Sequence, residues 1–114
     1  GYKHGVPADA DFVFDTRFLP NPFYNDELRP LTGKDAAVRT FIFGHALAEE
    51  YITQIERTLT TALEHYSEVG KHYGVVALGC TGGRHRSVCL AEELAARLSG
   101  RGIATTVQHR DVDR

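Results

Sequence analysis

The sequence lacks several features that would assign it to a large class of proteins. It has only two cysteines, Cys80 and Cys89, too few for a disulfide framework, and this predicts a cytoplasmic protein. No apolar run approaches the roughly 18–20 residues that a membrane span needs, and the amino terminus is not a signal peptide. The formal net charge of −2 excludes a protein that coats nucleic acid indiscriminately. Methionine is absent, and the abrupt start at Gly1 predicts a domain excised from a longer protein.

The composition is that of one ordinary globular domain spanning residues 1–114, with 42% hydrophobic and 25% charged residues. Alternating apolar residues predict strands, and apolar residues at steps of three or four predict helices. The predicted order is a strand at 12–19, a short helix after 35, a helix at 47–69, a strand at 73–78, a helix at 87–98 and a strand at 103–107. Because helices separate the strands, the predicted fold class is α/β, a small three-layer domain with a mostly parallel sheet.

A glycine-rich loop joins the second predicted strand to the last predicted helix. Gly79, Gly82 and Gly83 permit backbone angles that are closed to other residues, so that several N–H groups can turn toward one point. The helix beginning near Arg86 adds unpaired N–H donors and the positive end of its dipole. The pattern predicts a binding loop for a phosphate or sulfate anion, formed by Cys80, Thr81, Gly82, Gly83, His85, Arg86 and Ser87.

A second group of polar residues follows the first predicted strand. Parallel strands end at one edge of a sheet, which brings Asp15, Arg17 and Asn21 to the same rim as the loop, and ligands bind at such rims. Asp15 and Arg17 are two residues apart and therefore lie on the same face of the predicted strand. They could form an ordinary surface ion pair or contact a ligand. Asn21 stands between Pro20 and Pro22, so a turn-forming role is the alternative to ligand binding.

The loop also fits the C-x5-R-[ST] signature of cysteine-dependent phosphatases over residues 80–87. In that chemistry the thiolate of Cys80 attacks phosphorus while the arginine grips two phosphate oxygens. However, Gly79 stands where those phosphatases have histidine, and Asp15 or Asp26 would have to serve as the general acid. We therefore favour a loop that binds an anion without catalysing a reaction. On this interpretation the domain has no catalytic residue and no metal site, and Cys80 is the nucleophile only if the phosphatase alternative holds.

Four spaced segments resemble the carboxy-terminal domain of the RapZ (YvcJ) family, namely Gly1–Pro7, Asp15–Pro22, Leu28–Gly33 and Gly79–Val88. The resemblance implies a fold similar to a phosphofructokinase subdomain and a regulatory, RNA-related role. Enterobacterial members bind small regulatory RNAs, present them to an endoribonuclease and sense glucosamine-6-phosphate. The resemblance also implies a preceding P-loop domain that binds ATP or GTP, and no cofactor for this domain itself.

The resemblance agrees with the site expected from the residues. A phosphorylated amino sugar would place its phosphate in the loop and its ammonium against Asp15. Enterobacterial members have histidine where this chain has Phe23, which alters one ligand contact. Enterobacterial members also carry a run of basic residues near the carboxy end. In this chain only four arginines remain as candidate RNA contacts, Arg97, Arg101, Arg110 and Arg114. Self-association through the apolar segment 41–43 is a further expectation.

Overall fold

The computed structural model of the chain describes residues 8–109. Within them it shows a small α/β domain with three helices and a two-stranded sheet. The elements in chain order are β1 (Phe12–Asp15), α1 (Ala36–Phe43), α2 (Ala46–Tyr66), β2 (Val76–Gly79) and α3 (Arg86–Gly100). None of the helices in this part of the chain is both long and apolar enough to cross a membrane.

The two strands pair in parallel, with Phe12 opposite Val76 and Asp15 opposite Gly79. The prediction of parallel strands is therefore confirmed. Thr16 ties the two strand ends together, because its N–H and its hydroxyl both donate to the carbonyl of Gly79, at 2.7 and 2.8 Å. As a result, the segment that follows β1 and the loop that follows β2 begin at the same edge of the sheet.

The core forms where α2 and α3 pack on the sheet and on α1. Helix α2 buries residues at steps of three or four, and α3 contributes a matching stripe of leucines. Fully burying a side chain of this size stabilises the fold by about 1.5–3 kcal/mol. The central buried side chains are Val38, Ile42, Ala48, Ile52, Ile55, Leu59, Leu90, Leu94 and Leu98.

The predicted helix boundaries are close to the observed ones. Gly44 and His45 separate α1 from α2. The predicted helix 47–69 is an α-helix to Tyr66 and then one 3-10 turn, Ser67–Val69. Gly70 ends it with a φ of 75°, a left-handed conformation that favours glycine. The proline-rich loop, predicted to hold no regular element, contains one 3-10 turn at Pro22–Tyr24.

The predicted third strand at 103–107 is wrong, and β1 ends at Asp15 instead of continuing to residue 19. The carboxy-terminal segment is extended, but it is anchored to α3 and forms no ladder with β2. The N–H of Ile103 donates to the carbonyl of Leu98 at 3.0 Å, and Nε2 of His109 lies 2.8 Å from Oε1 of Glu92. A groove of about 1180 Å³ separates the segment from β2. The sheet therefore has two strands among the described residues. The larger sheet expected for a three-layer domain is not formed there.

Candidate anion-binding site

The loop between β2 and α3 is buried at its base and open at its apex. Cys80 is buried, Thr81 and Gly82 are exposed, and Gly83 is buried again. Gly83 has a φ of 73°, which an L side chain rarely adopts, so this glycine is required for the turn into α3. A Cβ added at Gly82 would meet no atom within 4 Å, which shows that the apex has free space around it.

Arg86 opens α3, and only 5% of it is exposed to solvent. Its Nη1 donates to the carbonyl of Arg17 at 2.5 Å and lies 3.5 Å from that of Leu19. Its Nε is buried and has no hydrogen-bond partner among residues 8–109. Leaving a buried donor unpaired costs about 1–3 kcal/mol, and more for a charged group. Arg86 therefore carries a buried N–H donor for which the described residues supply no acceptor.

Cys80 lies at the base of the loop, with its sulfur 3.3 Å from Oγ of Ser87. Burial alone raises the pKa of this thiol. Hydrogen bonds from the Ser87 hydroxyl and from the N–H groups of Ser87 and Gly83, together with the charge of Arg86, outweigh burial and lower the pKa below its usual value. Two N–H groups and the charge of Arg86 thus favour a negative charge on the Cys80 sulfur, beside the positive end of α3, which no side chain caps.

The other two cationic side chains of the loop contact backbone carbonyls. Arg84 donates from Nε to the carbonyl of Leu31 at 3.0 Å and from Nη2 to that of Pro30. Nε2 of His85 lies 3.1 Å from the carbonyl of Arg29. Burial lowers the pKa of His85, although the hydrogen bond to Arg29 opposes that shift. These two side chains brace the loop against the segment that follows the rim.

Gly33 completes this bracing, and sequence reasoning missed it. Its N–H donates to the carbonyl of Arg84 at 2.9 Å. A Cβ at this position would lie 2.3 Å from the nitrogen of Cys89 and 2.3 Å from the carbonyl oxygen of His85. Only glycine allows the chain to lie this close to the first turn of α3. A single sequence offers no signal for this contact, because glycine before a helix is common in any turn.

The rim residues Asp15 and Arg17 form a bidentate ion pair. Nε and Nη2 of Arg17 lie 3.0 and 2.9 Å from the two carboxylate oxygens, and both side chains are about half exposed. These hydrogen bonds lower the pKa of Asp15, so its carboxylate is ionised at neutral pH. Tyr51 fixes the backbone here by donating to the carbonyl of Asp15 at 2.8 Å. Since Arg86 contacts the carbonyl of Arg17, the ion pair and the loop lie side by side.

Asn21 forms a turn, which was the alternative to the predicted ligand contact. Its Oδ1 accepts a hydrogen bond from the N–H of Phe23 at 3.1 Å and caps the 3-10 turn. Phe23 itself is 52% exposed, and the guanidinium of Arg29 lies 5.1 Å from the centre of its ring. The structure therefore brings Asp15 and Arg17 to the loop directly, whereas Asn21 shapes the backbone beside it.

The candidate RNA contacts on α3 are already paired with carboxylates. Arg97 lies 2.7 Å from Glu49, 3.4 Å from Glu56 and 2.8 Å from Glu93. Arg101 lies 2.6 Å from Glu56. A nucleic acid phosphate would have to displace these carboxylates to contact either arginine. Arg110 and Arg114 lie outside the described residues.

The described residues contain no cluster of metal-ligating side chains. His, Cys, Asp and Glu side chains of residues 8–109 form no group of three that could hold a metal ion. What the loop and rim offer instead is a set of N–H donors, one buried guanidinium and one ionised carboxylate. That set suits a ligand with an anionic end and a cationic end.

Comparison with known proteins places the chain in a family. The model of the RapZ C-terminal domain matches residues 1–113. Over its whole length the chain is 49% identical to a protein of Bifidobacterium adolescentis, 49% identical to one of Thermobifida fusca and 51% identical to one of Salinispora tropica, each named a nucleotide-binding protein. It covers 37%, 39% and 38% of those three proteins, so it spans well under half the length of the curated relatives it matches. The chain belongs to the RapZ C-terminal domain family.

Proposed function

We propose that this domain senses a phosphorylated amino sugar of the glucosamine-6-phosphate type, which it binds at the loop of residues 80–87. One observation carries the proposal. The N–H groups of Gly83 and Ser87 help to lower the pKa of the Cys80 thiol at the start of α3, and the buried guanidinium of Arg86, the first residue of that helix, retains an unpartnered Nε among the described residues. A phosphate oxygen would satisfy that N–H and would gain from the positive end of the helix.

The rim supplies the other half of the proposed site. The Asp15 carboxylate is ionised and still partly exposed, although it is bound to Arg17. Each carboxylate oxygen has two lone pairs, so Asp15 can accept a hydrogen bond from an ammonium as well as from Arg17. An ammonium placed there would favour an amino sugar over the neutral sugar.

Calorimetric titration with four ligands tests the proposal. We expect glucosamine-6-phosphate to bind more tightly than glucose-6-phosphate, and both to bind more tightly than glucosamine or inorganic phosphate. Asp15→Asn should remove the preference for the amino sugar while the affinity for glucose-6-phosphate is retained. Equal affinity for inorganic phosphate and glucosamine-6-phosphate would contradict a sugar sensor, because the loop would then account for all of the binding.

A cysteine-dependent phosphatase is the second candidate, favoured by the lowered pKa of Cys80 and its contact with Ser87. The leaving oxygen of a sugar phosphate needs a proton, and Asp15 is ionised and held by Arg17. We therefore expect no hydrolysis of glucosamine-6-phosphate. Release of phosphate from an aryl phosphate, whose leaving group needs no acid, would establish the phosphatase if Cys80→Ser abolished it.

We also propose that RNA, a ribonuclease or other parts of a longer, self-associating protein respond to the presence of the ligand in the loop of residues 80–87. This rests on the family resemblance. We assign ATP or GTP binding to the remainder of such a protein, because the longer relatives that the chain matches are named nucleotide-binding proteins. RNA retention on filters across a salt series tests the RNA contact. Several phosphate contacts predict a steep loss of affinity as salt rises, and no retention at low salt would contradict the proposal.

A further inference from the structure

Thr16 is a buried polar residue between the two halves of the candidate site. It is 0% exposed and lies between Asp15 and Arg17 in the chain. Both its N–H and its hydroxyl donate to the carbonyl of Gly79, at 2.7 and 2.8 Å. The N–H bond continues the pairing of β1 with β2, whereas the hydroxyl bond is additional to that pairing. Valine has nearly the same shape and would bury no hydroxyl, so packing alone does not account for a threonine here.

Tyr51 holds the same short segment from α2. Its hydroxyl donates to the carbonyl of Asp15 at 2.8 Å, and its ring packs edge to face on Phe18 with 4.7 Å between the ring centres. The carbonyl that Tyr51 binds belongs to the peptide unit that joins Asp15 to Thr16. The N–H of the same unit donates to Gly79. Hydroxyls from two different elements therefore restrain the backbone at this peptide unit.

The restrained backbone determines where the Asp15 carboxylate lies. The N–H of Arg17 donates to Oδ1 of Asp15 at 2.8 Å, in addition to the bonds from the Arg17 guanidinium. The carbonyl of Arg17 accepts from Nη1 of Arg86 at 2.5 Å. The backbone of residues 15–17 thus sets the position of the carboxylate relative to Arg86. A ligand that contacts both charged groups needs their spacing to be held within about 0.5 Å.

We propose that Thr16 and Tyr51 are positioning residues, whose hydroxyls hold Asp15 at the distance from Arg86 that a phosphorylated amino sugar spans. This role of the two hydroxyls rests on the proposed function. Both hydroxyls act through Asp15, and neither is required to contact the ligand. Without one of them the phosphate still binds the loop, but the ammonium meets a carboxylate that has to be ordered on binding, which costs affinity. The two hydroxyls therefore determine the preference for the amino sugar and not the affinity for phosphate.

Calorimetric titration of Thr16→Val, Tyr51→Phe and Thr16→Ser with glucosamine-6-phosphate and glucose-6-phosphate tests this role. The ratio of the two affinities should fall by about 2- to 10-fold in Thr16→Val and in Tyr51→Phe, because each variant loses one hydrogen bond. Affinity for glucose-6-phosphate should stay unchanged in both. Thr16→Ser keeps the hydroxyl and should restore the wild-type ratio. A merely structural role would weaken both ligands alike and would leave the ratio unchanged.

Thr60→Val is the matched control, since the Thr60 hydroxyl donates to the carbonyl of Glu56 within α2, at 2.7 Å, and the variant should keep the wild-type ratio. Circular dichroism verifies folding, and Tyr51→Phe decides the result if Thr16→Val does not fold. An unchanged ratio in the folded variants would overturn the positioning role and leave the proposed function standing. A wild-type protein that does not prefer the amino sugar would overturn the proposed function, and the positioning role with it.

Discussion

The two ends of α3 each carry an arginine, and the two arginines have opposite surroundings. Arg86 at the amino end is almost fully buried, donates to backbone carbonyls and retains one unpartnered N–H among the described residues. Arg97 near the carboxy end contacts three carboxylates, and hydrogen bonds to Glu93 above all raise its pKa. The carboxylates at Arg97 come from the protein itself. Arg86 forms no ion pair with a carboxylate of the described residues, and we propose that a bound anion supplies one.

This difference separates an arginine that stabilises the fold from one that we propose as a ligand contact. Arg97 joins α2 to α3 through Glu49 and Glu56, so its charge is neutralised when the helices pack. Arg86 packs the loop onto the rim through two backbone carbonyls, and the Asp15 carboxylate, whose pKa its charge helps to lower, is bound directly to Arg17. A buried charge without an ion pair is costly, and it is a reason to expect a functional site.

The largest expected effect is the loss of ligand binding in Arg86→Ala. Hydrogen bonds to charged groups contribute about 1.5–3 kcal/mol each, so affinity for glucosamine-6-phosphate should fall by about 10- to 100-fold. Arg57→Ala is the matched control, since it removes the same charge from the exposed face of α2. Calorimetry measures both affinities, and circular dichroism verifies that each variant is folded. Equal losses in the two variants would mean that net charge, and not the loop, governs binding.

The next largest effect is expected from a pair of glycine substitutions at the two ends of α3. In Gly33→Ala the new methyl group would overlap backbone atoms of the first turn, which should lower the free energy of unfolding by about 3 kcal/mol. Gly100→Ala is the control, because a Cβ there meets nothing within 4 Å, and alanine should stabilise the last turn slightly. Urea denaturation measures both. A Gly33→Ala variant as stable as wild type would show that the rim segment is not packed tightly on α3.

The sequence alone was sufficient for the elements with strong local patterns. The apolar stripe of α2, the glycine at position 70 and the strand–loop–helix order around residues 76–86 were all predicted. It was insufficient where tertiary contacts decide. Residues 103–107 have the composition of a strand, but Leu98 and Glu92 hold the two ends of their segment on α3.

For the candidate site, sequence reasoning placed the residues on the correct edge but could not orient their side chains. Arg84 and Arg86 look equivalent in the sequence, yet one contacts the carbonyl of Leu31 and the other is buried at the base of the loop. Which arginine faces the rim depends on the turn at Gly83 and on how the 20–33 segment folds back. The glycine is visible in the sequence, but the way the 20–33 segment folds back has no local signature in a single sequence. The prediction that these residues bind a phosphate stays a prediction.

A moderate effect is expected from Arg97→Ala. The substitution leaves Glu56 and Glu93 near each other without their shared cation, which should lower the free energy of unfolding by about 1–2 kcal/mol. Ligand affinity should stay unchanged, because Arg97 is far along α3 from the loop. Thermal unfolding and calorimetry on the same variant measure the two quantities. Weakened ligand binding in a folded Arg97→Ala protein would remove the distinction between the two ends of α3.

The smallest effect is expected in the pH dependence of stability at the Arg97 end. Burial raises the pKa of Glu93, but hydrogen bonds from Arg97 and Arg39 outweigh it, and the folded-state pKa lies below its usual 4.5. A carboxylate with a depressed pKa stabilises the fold above its unfolded-state value and loses that contribution as pH falls through the folded-state value. The stability difference between wild type and Glu93→Gln should therefore be constant above about pH 5.5 and should shrink below about pH 4.5. Melting temperatures measured from about pH 7 down to about pH 3 give the result, and a difference that persists at low pH would mean that Glu93 contributes through packing and not through its charge.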